Sequence, residues 1–341
     1  MTVTINDVAQ AAGVSKGAVS YALNGQPGVS DDTRERILRV ARELGWKPNL
    51  RAKSLSSAKA FAVGLVVARD PRLLGTDPFF PAFIAGIETT LVEHEYALVL
   101  TVAASAEAEE LGYRKLAADS RVDGVILTDM RVDDSRIALL QSLKIPAVTL
   151  NRPETSSPFP AVCMDDTEGI AAAVEHLVSL GHTRIGHVGG PQSYIHGRSR
   201  RLAWQNAMSK AGLEAGSFVE ADFTAAGGLA ATAELLRSAQ RPTAIIYAND
   251  LMATAGQSYA QSLGLTVPDD LSITGYDDTE LATYLNPPLT TVPADPLLWG
   301  RVAAQQLLSL LGGAPAEDIF LPSPKLVVRA STGPAPSLPK N

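Results

Sequence analysis

Arg200, Asn249 and Asp277 fall at predicted strand ends and share one chemistry, the recognition of neighbouring hydroxyl groups. A guanidinium donates paired hydrogen bonds to adjacent oxygens, a primary amide offers donor and acceptor together, and a carboxylate accepts from paired hydroxyls. Phe223 adds a flat apolar floor for a sugar ring. Arg198 and Arg201 compete for the part given to Arg200, and Asp277-Asp278 has the alternative of capping a helix. Other spacings lead nowhere. Gly13-Val14-Ser15-Lys16-Gly17 matches the hydrolase elbow in form, but that motif needs a preceding strand, and a helix precedes it here. Gly186-His187-Val188-Gly189-Gly190 lacks the dinucleotide-binding spacing and its later acid. His176, His182, His187 and His196 fit no metal-ligand spacing and read as scattered surface histidines. With no catalytic constellation, the chain is expected to bind rather than to catalyse, with no cofactor and no metal.

A second chemistry sits at the N-terminus. Residues 1–59 hold nine Lys/Arg against five Asp/Glu, a balance of +4; the chain carries −7, so the remainder carries −11. A basic head on an acidic body suits a polyanion. Thr4-Ile5-Asn6-Asp7 reads as a capping box, the Thr4 hydroxyl accepting from the Asp7 N–H. The helix it starts has Ile5, Val8, Ala9 and Ala12 on one stripe; Gly13 ends it. Ser15 caps a second helix with Ala18, Val19, Ala22 and Leu23 inward. Two short helices joined by a tight Gly-containing turn are a helix-turn-helix, whose second helix fits the major groove. Ser30 caps a third helix with Ile37, Val40, Ala41 and Leu44 inward, and Gly45 ends it. After Pro48, Asn49 caps a short segment that displays Arg51 and Lys53 beside an unsupported Leu55. Such a piece orders only against a partner.

From residue 61 the pattern changes to short apolar runs separated by helix-length amphipathic stretches. Ala62–Val67, Ala97–Leu100, Gly124–Leu127 and Ala147–Leu150 form one set; a second begins near Ala161 and includes Arg184–Val188, Ala244–Tyr247 and Ser272–Gly275. Continuous apolar strands between helices indicate parallel sheets covered on both faces, and two sets indicate two doubly wound lobes with the ligand in the cleft between them. The fold class is therefore a small all-α helix-turn-helix domain followed by α/β. The flanks of Cys163, the only cysteine, place it in a buried strand.

Several of these motifs resemble the LacI/GalR family of repressors: Thr4-Ile5-Asn6-Asp7-Val8-Ala9, Ala12-Gly13-Val14-Ser15, Ala18-Val19-Ser20 with Leu23-Asn24, Val29-Ser30 with Thr33-Arg34, and Pro48-Asn49 in the head. In the body, Asp77-Pro78-Phe79-Phe80, Val122-Asp123-Gly124, Ala248-Asn249-Asp250, Gly275-Tyr276-Asp277-Asp278 and Pro288-Leu289-Thr290-Thr291 extend the likeness. The resemblance implies that Lys16, Gly17 and Tyr21 read bases. Ser15, Ser20, Asn24, Ser30 and Thr33, with Thr4, Asn49 and Arg51, mostly hold the backbone, and Leu55 wedges into the minor groove. Many members carry Arg where Tyr21 stands, and Gly17 has no side chain, which alters the expected half-site. It also implies a periplasmic-binding-protein-like body in which Asn151, Phe79 and Phe80 join Arg200, Phe223, Asn249 and Asp277 around the effector; the alternative for the two phenylalanines is core.

The domains expected are residues 1–59 with a hinge helix near 49–56, a sensor over 61–333, and a disordered tail over 334–341. The sensor divides into one lobe of 61–160 plus 291–322 and another of 161–290 plus 323–332, a discontinuity inherited from the resemblance. The implied protein is a cytoplasmic homodimeric repressor of palindromic operator DNA, without a membrane span, controlled by a small molecule, a sugar by family habit, that releases the operator. An α/β enzyme with a helical appendage would need a catalytic constellation. A ligand carrier of the periplasmic type would need a signal peptide and would not need the basic head.

Overall fold

The computed structural model describes residues 3–23, 25–46, 57, 59–71, 73–315 and 317–336. They form two compact units, divided after Ala60. The expected hinge segment, with Asn49, Arg51 and Leu55, lies outside the described residues, as does Asn24.

The N-terminal unit is three helices, α1 (Ile5–Ala12), α2 (Lys16–Leu23) and α3 (Asp31–Glu43). Gly13 ends α1 at φ 65°, a left-handed conformation that costs glycine little. The expected capping box is present, with the Thr4 side chain at the Asp7 N–H and the Asp7 carboxylate at the Thr4 N–H. Asp7 Oδ2 accepts from the Thr4 N–H at 2.7 Å and also from the Thr4 hydroxyl at 2.8 Å. Ser15 Oγ accepts from Ala18 N at 3.1 Å and caps α2. Ser30 Oγ donates instead to Thr33 Oγ1 at 2.9 Å. Val8, Ala9, Ala12, Val19, Ala22, Ile37 and Ala41 form the core; their mostly small size lets the helices approach closely. Leu44 is exposed and Trp46 packs on this core in its place.

The second unit has two parallel sheets. The first contains β1 (Ala62–Val67), β2 (Ala97–Val102), β3 (Gly124–Leu127), β4 (Ala147–Leu150), β5 (Ala161–Cys163) and β10 (Ile319–Phe320), in the order β10-β5-β4-β3-β1-β2. Between them run α4 (Leu73–Thr76), α5 (Phe79–Glu93), α6 (Ala106–Ala118) and α7 (Ser135–Leu143). The second sheet contains β6 (Ile185–Gly189), β7 (Phe218–Glu220), β8 (Ala244–Tyr247) and β9 (Ser272–Thr274), in the order β7-β6-β8-β9. Its helices are α8 (Asp166–Ser179), α9 (Ile195–Lys210), α10 (Ala225–Arg237) and α11 (Asp250–Ser262); α12 (Pro296–Leu311) returns to the first lobe against α5. Every residue of β1, β3, β4, β5, β6, β8 and β9 is buried, as continuous apolar runs require. β2 is an edge strand and leaves Leu100 and Val102 exposed.

The lobe boundaries move from those expected. β5 pairs with β4 and β10, and Val162 lies in the first lobe's core, so that lobe extends through Cys163. Thr290 pairs with Thr274 and Thr291 with Val327, so the second lobe keeps residues 290–292. An apolar run announces a strand; only tertiary packing decides which sheet receives it. The end of the chain is also tied down further than expected. His182 contacts the Gly333 carbonyl at 3.0 Å and Ala335 N donates to Leu180 O at 2.9 Å; residues 337–341 lie outside the described set.

The histidines correct another expectation. His182 and His187 are buried. His187 sits in β6 between Trp204 and Phe218, its Nδ1 donating to the Ile246 carbonyl at 2.9 Å. Burial, with smaller contributions from Arg200 and Arg201, pushes its pKa down to about 4. Because the folded value lies below the unfolded one, this stability is present above about pH 6.5 and is lost as pH falls toward 4. The unfolding midpoint of the second unit is expected to fall by several degrees between pH 7.5 and 5, and His187→Phe should flatten part of that slope in thermal melts. An unchanged slope would assign the acid sensitivity elsewhere.

Candidate functional site

In the N-terminal unit, α2 presents Lys16, Gly17 and Tyr21 exposed with Ser20 half-buried, at spacings that share one helix face. A Cβ on Gly17 would meet only Ser15 Oγ, at 3.8 Å, so nothing crowds the backbone there. Tyr21 is 47% exposed, and its ring lies against Gly28, whose φ of 118° belongs to a turn. Arg34 Nη2 donates to Gln26 O at 2.7 Å and fixes that turn. Thr4, Ser15 and Ser30 are exposed and Thr33 is half-buried, each at the N-terminal end of a helix. Such ends offer amides and positive dipole ends to phosphates.

The second unit has a partly open cavity between the lobes, about 650 Å³ of empty space including its mouth. All seven residues singled out from the sequence, Phe79, Phe80, Asn151, Arg200, Phe223, Asn249 and Asp277, line it. Four lining residues follow strand ends in left-handed backbone: Asp129 (φ 49°), Asn151 (67°), Phe223 (65°) and Asp277 (111°). Asparagine and aspartate tolerate this conformation; a bulky phenylalanine does so only where its surroundings enforce it, and such strain collects at functional sites.

The enforcement on Phe223 is visible. Asn249 caps α11 with Oδ1, accepting from Met252 N at 2.9 Å, and its Nδ2 donates to the Phe223 carbonyl at 3.0 Å. The amide expected to address a ligand with both ends is thus partly spent on positioning. The ring of Phe223 stacks on His196 at 5.2 Å and packs against Gly190. The competition among arginines resolves on geometry. Arg201 lies over Phe218, and Arg198 forms an exposed pair with Glu154 at 3.1 Å. Arg200 is buried: Nη1 donates to Ala248 O at 2.6 Å, Nη2 pairs with Asp166 at 3.3 Å, and the guanidinium lies 3.6 Å above the Tyr276 ring. Its Nε is buried without a protein partner.

Sequence reasoning missed several liners. Arg69 donates to both oxygens of Asp129 at 2.6 Å and lies 5.1–5.6 Å from the ring centroids of Phe80, Tyr194 and Phe223. Trp299, on α12, donates from Nε1 to Val162 O at 3.0 Å and meets Phe79 edge-on. Asp77 accepts from Phe79 N at 3.0 Å, which fixes the start of α5. A lone arginine after β1 and a tryptophan in the first turn of a proline-started helix carry no local signal; Asp77 stood inside a quoted motif, yet only its neighbours were assigned a role.

A three-helix unit with an exposed recognition helix, followed by two parallel-sheet lobes around a polar and aromatic cavity, defines a ligand-responsive DNA-binding protein. Comparison with known families agrees: residues 4–49 match the bacterial regulatory proteins of the lacI family, and residues 174–332 match a periplasmic binding protein-like domain. The HTH-type transcriptional regulator CelR of Thermobifida fusca is 34% identical over 323 residues, covering 93% of this chain and 94% of its own. Among solved structures, a complex of the regulator CelR with cellobiose superposes with a TM-score of 0.75 at 32% identity, covering 96% of this chain and 99% of that one. A lac repressor dimer bound to operator and the anti-inducer ONPF gives 0.81 at 30% identity, covering 98% and 100%. The chain belongs to the LacI family of transcriptional regulators; it is a DNA-binding regulator and not an enzyme. Among the described residues no helix is long and apolar enough to cross a membrane.

Proposed function

We propose that this regulator represses transcription in the cytoplasm by binding a palindromic operator as a homodimer, and that a carbohydrate in the inter-lobe cavity releases it. The observation that carries the reading is the convergence of residues from both lobes on one cavity, with Asn151, Phe79 and Phe80 facing Arg200, Phe223, Asn249 and Asp277. A ligand touching both lobes favours one lobe arrangement over another, which is the requirement for coupling two sites. The carbohydrate class is supported by the CelR structure, which holds cellobiose. Dimerisation is supported by the lac repressor dimer and by the apolar edge at Leu100 and Val102, a surface that a second subunit would cover.

In this reading Lys16, Gly17 and Tyr21 address bases. Thr4, Ser15, Ser20, Asn24, Ser30, Thr33, Asn49 and Arg51 address the backbone, and Leu55 wedges the minor groove. Selection of duplexes from a random pool at fixed salt should yield a palindrome, and mobility shifts on it should weaken when the correct sugar is added. Tyr21→Arg should change the selected half-site, because a guanidinium grips guanine O6 and N7 bidentately where a phenol offers one hydroxyl. The same consensus from both proteins removes Tyr21 from base reading; no selected palindrome removes the operator reading.

A further inference from the structure

The cavity's cations are all engaged, while two of its carboxyls are not. Arg69 is held by both oxygens of Asp129, and Arg200 by Asp166, which also accepts from the Tyr276 hydroxyl at 2.7 Å. His196, the remaining basic group on the wall, is pushed down to about 4, chiefly by burial, and is neutral at pH 7. Asp77, from the first lobe, accepts only the Phe79 N–H, and Asp277, from the second, has no side-chain hydrogen bond or ion pair among the described residues. Both line the cavity with acceptors to spare.

We infer that the cavity selects an uncharged, hydroxyl-rich carbohydrate and rejects its anionic counterparts, the sugar phosphates and sugar acids. The inference rests on the carbohydrate reading above. Hydroxyls donate to Asp77 and Asp277, which satisfies both idle carboxyls without moving a charge. A phosphate or carboxylate finds no free cation. To recruit Arg69 or Arg200 it must displace Asp129 or Asp166 and leave that carboxylate buried and uncompensated. If the arginines stay where they are, it faces two further carboxyls, and like charges placed together are an effective means of rejecting a wrong partner. Burial raises Asp77 and Asp277; the Phe79 N–H and Arg69 oppose it at Asp77, and Arg200 opposes it at Asp277.

Matched pairs test this on the full chain by calorimetry and thermal shift at pH 7.5 and constant ionic strength. Suitable probes are cellobiose, maltose and lactose against cellobionate, maltobionate and lactobionate, and trehalose and glucose against their 6-phosphates. The best neutral sugar is expected to bind at least about tenfold more tightly than its anionic partner. Asp77→Asn keeps an oxygen for the Phe79 N–H while deleting a charge, and should narrow that gap several-fold. An anionic sugar that binds as tightly as its neutral partner overturns the inference while leaving the carbohydrate site standing. A gap unchanged in Asp77→Asn also overturns it, because steric exclusion would not respond to the charge. Silence from every probe, neutral and anionic, removes the carbohydrate reading itself and this inference with it.

Discussion

Arg200→Ala is expected to abolish the thermal shift given by the effector and to lower the stability of the second unit by about 3–5 kcal/mol, the usual consequence of breaking a buried ion pair from one side. The side chain stands between two tasks. It neutralises Asp166, bonds the Ala248 carbonyl and lies on Tyr276, and it also lines the cavity wall. Removing it leaves Asp166 buried with only the Tyr276 hydroxyl on that oxygen. The two losses are separable. Arg200→Ala with Asp166→Asn no longer buries a lone carboxylate, so urea titrations should recover much of the stability, while the ligand shift should remain absent. Arg198→Ala is the contrast: its pair with Glu154 is exposed, and its removal should cost no more than about 1 kcal/mol and leave the shift intact. A full ligand shift in Arg200→Ala would place the ligand's main donor elsewhere on the wall.

Periodicity and composition made the strands of the second unit legible, because each parallel strand is an uninterrupted apolar run bounded by turns. They did not make pairing legible. β5 and residues 291–292 carry nothing local that names their sheet, and both are expected in the wrong lobe. In the head, hydroxyl residues at fixed offsets marked every helix start and Gly13 the end of α1, yet the bond of Ser30 to Thr33 rather than to a backbone N–H depends on rotamers that sequence does not record. The cavity shows the same division. Polar residues directly after strand ends, Asn151, Asn249 and Asp277, were visible because topology alone sends strand ends to the cleft. Arg69 and Trp299 were not. Arg69 lines the cavity because Asp129, sixty positions away, turns back in left-handed backbone to receive it. The histidine cluster misled because a run of histidines looks solvated until Ile246, Trp204 and Thr243 are seen around it.

Gly190→Ala is expected to weaken effector binding by about one to two orders of magnitude and to cost about 1–3 kcal/mol, the range for overfilling a packed site. Gly190 is not among the residues with positive φ, so alanine is allowed by its backbone and barred only by space. A Cβ there would lie 2.0 Å from Phe223 Cζ and 2.5 Å from Cε1 and Cε2, so the ring must move. It has nowhere easy to go, since His196 stacks on it, Arg69 lies 5.2 Å from its centroid, and its backbone is strained and bonded to Asn249. This accounts for the Gly189-Gly190 pair, which at first resembles a truncated nucleotide loop: Gly189 admits the edge of Phe218, and Gly190 seats the cavity floor. The decisive measurement is a double-mutant cycle with Phe223→Ala. Each single change should cost affinity, and Gly190→Ala should cost almost nothing once the ring is gone. If it costs as much in the Phe223→Ala background as in the wild type, the methyl acts through the backbone of residues 189–191, and the floor is not set by this contact.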